Sequence, residues 1–154
     1  MNEDITVSEL GNSLKVALAD TFVMMTQAWG YHWSVEGPNF KSLHDLFSLI
    51  YTDQQEAVDQ LAEHIRALDE YAPGSLKRFL DLTTLEEEVK IPTATNMVDK
   101  LLASNLKLMD SLNQTLEQAK VVNNEGVVNF LGARLEIQAK HGWMLRATNK
   151  KDRA

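Results

Sequence analysis

Four side chains in this sequence have the types and spacing to hold a metal ion: His32, His44, Asp59 and Glu63. His32 and His44 flank Glu36-Gly37-Pro38-Asn39, a turn signature, within the stretch YHWSVEGPNFKSLHDLF. Asp59 and Glu63 are i, i+4 neighbours, so on a helix both carboxylates leave the same face and could share one hard cation. Imidazole nitrogen with carboxylate oxygen suits iron and also accepts zinc. The chain has no cysteine, which removes disulfides, thiolate metal sites and cysteine nucleophiles, and leaves any metal to nitrogen and oxygen ligands.

The elements that carry these residues read as long helices. Leu10, Leu14, Ala17, Thr21, Met25, Ala28, His32 and Val35 recur in alternating steps of three and four, which predicts a helix over 10–35 with His32 on its buried seam. Gly37-Pro38 ends it, and Asn39 is the expected N-cap of a second helix over 40–70. On that helix Leu43, Phe47, Ile50, Gln54, Val58, Leu61, Ile65 and Leu68 form one stripe. A semi-polar stripe runs beside it: His44, Ser48, Tyr51, Gln55, Asp59, Glu63 (with Ala62) and Arg66. Ala72-Pro73-Gly74-Ser75 breaks the chain, SLKRFLDL can form a short helix, and LEEEVKIPT reads as irregular. A further helix follows over 95–121, with Val98, Leu102, Leu106, Met109, Leu112, Leu116 and Ala119 inward. The last covers 125–147, with Val128, Leu131, Leu135, Gly142 and Leu145 along one side. The first and last helix pairs have short links and pack antiparallel. The middle link is long enough to recross the bundle, which predicts an all-α four-helix bundle with one crossover; up-down-up-down with a decorated loop is the alternative.

A rod imposes a distance problem on the candidate ligands. His44 precedes Asp59 by 15 residues on one predicted helix, about 22 Å along the axis. Ligands sit within about 2–2.5 Å of a metal, and two-metal sites span only about 4 Å. These residues are therefore unrelated, or their site forms between two chains. Two copies of the second helix packed antiparallel about a two-fold axis near Tyr51 to Gln54 would bring His44 of one chain beside Asp59 and Glu63 of the other. Fifteen steps of about 100° leave His44 and Asp59 only about 60° apart around the helix, so both point at the same partner. The competing account is plain: histidines on a seam are commonly hydrogen-bonded core residues, and i, i+4 acidic pairs are commonly solvated.

The stretch His32-Trp33-Ser34-Val35-Glu36-Gly37-Pro38-Asn39-Phe40, followed by His44 and then Asp59 and Glu63, resembles the mini-ferritins called Dps, DNA-protecting proteins from starved cells. The likeness in helix order covers nearly the whole chain. It implies a ferritin-like four-helix bundle with a short helix in the crossover, and a dodecameric hollow shell with ferroxidase sites at two-fold interfaces. His32 and His44 would come from one chain, Asp59 and Glu63 from its mate. Fe(II) would be oxidised there, preferentially by hydrogen peroxide and otherwise by oxygen, and Fe(III) mineral would grow in the cavity. The sequence contains no Glu-x-x-His, the pair that serves ferritin-like sites built inside one bundle. Ser48 stands where many family members carry an aspartate, so one metal is expected to bind more tightly than two, with two irons only at full loading. Trp33 would lie beside the site, either packing with Trp29 or absorbing stray oxidising equivalents, while His64 and His141 are expected in surface or structural roles. The family's acidic three-fold pores put Glu125 in the right stretch, although Asn129 one turn on is not acidic.

Composition sets the remaining bounds. The 154 residues fit one domain, 1–154, with short polar tails, and their formal net charge of −7 argues against whole-surface nucleic-acid binding. Glu3, Asp4 and Glu9 make the N-terminal end negative; Arg146, Lys150, Lys151 and Arg153, against Asp152, make the C-terminal end modestly positive. DNA is thus a disfavoured partner, reachable only by the avidity of many tails. MNEDITVSEL lacks a signal-peptide pattern and no apolar run approaches a membrane span, so the expectation is a soluble cytoplasmic homo-oligomer with no membrane association.

Overall fold

The computed structural model describes residues 6–152; Glu3, Asp4 and Arg153, weighed above for charge, lie outside them. The described chain forms α1 (Val7–Ser34), α2 (Phe40–Ala67), α3 (Leu76–Leu82), α4 (Ala94–Val121) and α5 (Glu125–Thr148). The expected all-α bundle with a short helix in its long link is present. Among the described residues, no helix is long and apolar enough to cross a membrane.

Local chemistry explains the boundaries. Thr6 and Glu9 close a capping box at the start of α1: the Glu9 amide donates to Thr6 Oγ1 and the Thr6 amide to Glu9 Oε2. The next turn needs Gly37, whose φ of +118° is open to glycine and strained for other residues. Asn39 is the N-cap of α2, as expected, but its side chain makes no capping hydrogen bond. That helix stops at Ala67, three residues short of expectation, because Asp69 turns into the left-handed region at φ 62°.

The crossover is held to α1 by buried polar groups that also set its direction. Asp20 is fully buried and accepts hydrogen bonds from Thr83 Oγ1 (2.7 Å), the Thr84 amide (2.6 Å), Thr84 Oγ1 (2.8 Å) and Ser111 Oγ of α4 (2.6 Å). Eleven residues further along α1, the Tyr31 hydroxyl donates to Glu88 (3.0 Å) and accepts from Gln27 (3.1 Å). Residues 83–88 therefore travel back along α1 by about 16 Å, towards the end where α2 began. Phe79 of α3 stacks on Phe22 at 4.2 Å and anchors the near end of that path. Because α4 starts at the same end as α2, the two run parallel: the one-crossover topology, not up-down-up-down.

The inward face of α4 departs from expectation. Val98, Leu112 and Ala119 are buried as the periodicity predicts, but Leu106 is 52% exposed, and Leu102, Met109 and Leu116 are only partly covered. The core side instead carries Leu101, Ser104, Asn105, Leu108, Ser111 and Thr115. Polar partners turn the helix: Ser104 donates to Gln27 (2.6 Å), Ser111 to Asp20, and Asn105 Nδ2 to the Gln138 carbonyl (2.9 Å). Apolar counting misses such positions, because a serine or asparagine is buried only where its partner waits.

A second polar cluster ties α2 to α5. Asp53 takes two parallel hydrogen bonds from the Arg134 guanidinium, each 2.8 Å, and one from His141 Nε2–H, also 2.8 Å. Burial pushes the Asp53 carboxyl up, but the hydrogen bonds and charge of Arg134 and His141 outweigh it and hold the group well below the usual carboxylate range.

Two stability predictions follow from these anchors. Asp20→Ala strands three hydroxyls and an amide and is expected to lower the unfolding free energy by about 3 kcal/mol in chemical denaturation. For Asp53, the folded pKa lies below the unfolded one. Its contribution is thus complete above pH about 4 and is lost as pH falls through the folded value. Asp53→Asn is therefore expected to flatten the acid limb of stability against pH; an unchanged limb would assign acid unfolding to other carboxylates.

Candidate metal centre

The short turn after α1 brings the two candidate imidazoles together. His32 lies in the last turn of α1 and His44 in the second turn of α2, with ring centroids 3.7 Å apart and planes tilted by 15°. Each ring is fastened to the other's backbone: His32 Nδ1–H donates to the His44 carbonyl and His44 Nδ1–H to the His32 carbonyl, both at 2.7 Å. A carbonyl oxygen only accepts, so both hydrogens sit on Nδ1, and in the neutral rings both Nε2 atoms carry bare lone pairs. Fixing one ring nitrogen on a backbone carbonyl while the other faces a metal is the usual support for a ligating histidine. No described residue hydrogen-bonds either Nε2.

Aromatic side chains wall this pair. Tyr51 meets His32 edge-on at 5.3 Å and stacks on Trp29 at 5.6 Å; Trp29 touches Trp33 at 5.0 Å, and Phe40 stacks on His44 at 5.2 Å. Trp33 is nonetheless 65% exposed, so its packing with Trp29 leaves most of the indole uncovered.

The carboxylates are elsewhere. Asp59 and Glu63 are exposed on α2, and that helix is unbroken from Phe40 to Ala67, which maintains the separation of about 22 Å from His44. Among the described residues, no group of three or more His, Asp or Glu side chains is close enough to hold a metal ion. The single chain thus unites His32 with His44 and leaves Asp59 and Glu63 apart from them. Ser48 is half-buried on α2 and Glu125 opens α5 in an exposed position. His64 packs instead against Phe130, with ring centroids 4.5 Å apart and planes tilted by 34°, where burial pushes its pKa down against the pull of Glu63.

Sequence reasoning overlooked the Asp53 cluster. Its signals were present: Gln54 interrupts an apolar stripe, and Arg134, Gln138 and His141 follow one another in steps of four and three on α5.

A family model described as a ferritin-like domain matches residues 12–154. DNA protection during starvation protein 2 of Bacillus anthracis is 31% identical over 135 residues, spanning 87% of this chain and 92% of that one. The chain belongs to the ferritin-like Dps family. A low temperature-induced protein of Nostoc sp. is 35% identical over 138 residues, covering 88% of this chain and 77% of the relative. The crystal structure of Dps from Vibrio cholerae, described as a member of a broad superfamily of ferritin-like diiron-carboxylate proteins, superposes with a TM-score of 0.90 at 30% identity, covering 94% of this chain and 91% of that one. This Dps chain differs from a bundle with an internal metal site in a physical respect: its paired imidazoles stand at the mouth of the α1–α2 turn, not between four helices.

The clasp fixes a tautomer, and that is measurable. Histidine side-chain 15N spectra of neutral apo-protein are expected to show His32 and His44 protonated at Nδ1 and bare at Nε2. A neutral ring carrying its hydrogen on Nε2, with Nδ1 bare, would remove the clasp.

Proposed function

We propose that this chain is an iron-oxidising, iron-storing mini-ferritin whose ferroxidase sites form between subunits. The observation that carries this is the reciprocal His32–His44 clasp, which prepares two Nε2 donors with no third His, Asp or Glu grouped beside them among the described residues. A two-fold mate offering Asp59 and Glu63 completes the set, and two such sites arise per dimer because a two-fold interface is self-complementary. The single 1–154 domain would assemble as a cytoplasmic dodecameric shell.

The stacked rings bear on stoichiometry. Lone pairs lie in the ring planes, and two nearly parallel rings with centroids 3.7 Å apart aim them side by side rather than at one point a metal–nitrogen bond of about 2.1 Å away. Each imidazole therefore serves its own cation position, side by side, at the spacing of a two-metal site. The mate's Asp59 and Glu63 strengthen one position; Ser48, a hydroxyl where a carboxylate would bind better, leaves the other weak. One iron binds first, and two occupy the site at full loading, with zinc a competent substitute.

Fe(II) is the substrate and hydrogen peroxide the preferred oxidant, with oxygen as the slower alternative. Two Fe(II) give up one electron each, the O–O bond of peroxide breaks, and two protons complete two waters, so no hydroxyl radical leaves the site. The Fe(III) hydrolyses and is deposited as mineral within the shell. Trp33, packed on Trp29 and largely exposed, would absorb a stray oxidising equivalent when only one iron is present. DNA binding is a weaker reading, since only the exposed Lys150 and Lys151 of the described tail favour it against a net charge of −7.

Fe(II) titrated into purified apo-protein with peroxide is expected to oxidise rapidly at low loading and yield a soluble mineral. Asp59→Ala/Glu63→Ala is expected to lose the rapid phase by more than the roughly 10–100-fold that an outer-shell partner costs a metal site. Absence of protein-dependent oxidation sinks the ferroxidase. Salt-dependent gel retardation that disappears with the last eight residues would then favour a DNA-binding shell.

A further inference from the structure

The ferroxidase reading makes no use of the most elaborate polar cluster in the molecule, which lies inside the bundle. Around the Arg134 guanidinium stand both carboxylate oxygens of Asp53 and the carboxamide oxygen of Gln138, with His141 Nε2 bonded to the same carboxylate. The Arg134 and His141 side chains are 5% and 4% exposed, and Gln54 and Gln138 are fully buried. Two carboxylate oxygens, carboxamide oxygens and an imidazole form a donor set that divalent iron, cobalt or zinc accepts.

Two atoms here are buried with no partner: Gln54 Oε1 and His141 Nδ1. Gln54 is held in this orientation because its Nε2 donates to Gln138 Oε1 (2.6 Å) and Asp53 Oδ2 (3.1 Å), both acceptors. Turning the amide would aim Oε1 at those two oxygens, which only an added cation makes favourable. Likewise His141 can free Nε2 as a ligand by moving its hydrogen to Nδ1. An ordinary ion pair needs neither spare atom.

We propose that this cluster is a masked divalent-cation site in the bundle core and that Arg134 is its resident cation. The guanidinium is charged at all working pH values and tethered to α5, so it satisfies Asp53 and leaves no coordination position for iron. Arg134 is therefore a specificity-determining residue: it keeps iron out of the bundle and reserves metal binding for the subunit interface. The masked core site stands apart from the interface reading, since its cluster lies within one chain; only the reservation of metal for the interface rests on that reading.

The test replaces the tethered cation. Arg134→Ala, made in full-length protein also carrying Asp59→Ala/Glu63→Ala, is titrated with Co(II), and binding is read by equilibrium dialysis and cobalt visible absorption. One additional Co(II) per protomer is expected relative to the Asp59→Ala/Glu63→Ala parent. Its binding should raise the melting temperature, and low concentrations of guanidinium ion should compete with it. Adding Asp53→Asn abolishes the extra ion, and Arg134→Lys, which keeps a cation, does not acquire it. A folded Arg134→Ala variant that binds no more Co(II) than the parent overturns the proposal. If that variant is unfolded without metal, Co(II) or guanidinium during refolding is expected to restore its helical circular dichroism, and recovery with neither overturns the proposal equally.

Discussion

Burying the Asp20 carboxylate obliges the chain to deliver donors to it, because an isolated buried charge is far too costly to leave unsatisfied. The donors come from the crossover, at Thr83 and Thr84, and from α4, at Ser111. Much else depends on that convergence. It holds the irregular segment against α1, and with Glu88 secured by Tyr31 it delivers α4 to the end of the bundle where α2 began. Once α4 starts there, α5 must return antiparallel to it, which brings Arg134 and His141 alongside Asp53 of α2.

The two polar constellations differ in what they leave open. Asp53 has its charge balanced inside the bundle by Arg134 in a bidentate geometry. The imidazoles at the α1–α2 turn are closed only on the backbone side. Their Nδ1 hydrogens are committed to carbonyls, and their Nε2 lone pairs have no described partner. The open lone pairs thus lie beside the exposed aromatic rings of Trp33 and Phe40, and the bidentate ion pair lies inside the bundle. Trp29 and Phe40 beside the clasp are large apolar side chains left exposed on the single chain.

Much of the architecture was legible before any coordinate. Helix periods and the breaks at Gly37-Pro38 and Pro73-Gly74 located the elements, since each is a local property of backbone and side chain. The distance between His44 and Asp59 needed only the rise of a helix. Legibility failed on α4, where Leu106 was expected inside and Asn105 is buried instead, and at Asp53, which neither stripe of α2 included. Both failures share a cause: a polar residue is buried only when a partner meets it, and these partners are remote in sequence. Ser111 reaches Asp20 across 91 residues, and His141 reaches Asp53 across 88.

The sequence by itself therefore determined the helices, their order, the absence of thiolate chemistry and the impossibility of joining His44 to Asp59 on one rod. Those are consequences of residue type and of fixed helical spacing, and no fold is needed to draw them. Only the tertiary structure decided the route of the crossover, the rotation of α4, the tautomer of the paired histidines and the neutralisation of Asp53 by Arg134. Each of these rests on hydrogen bonds between groups from different helices, whose geometry exists only after the bundle has closed.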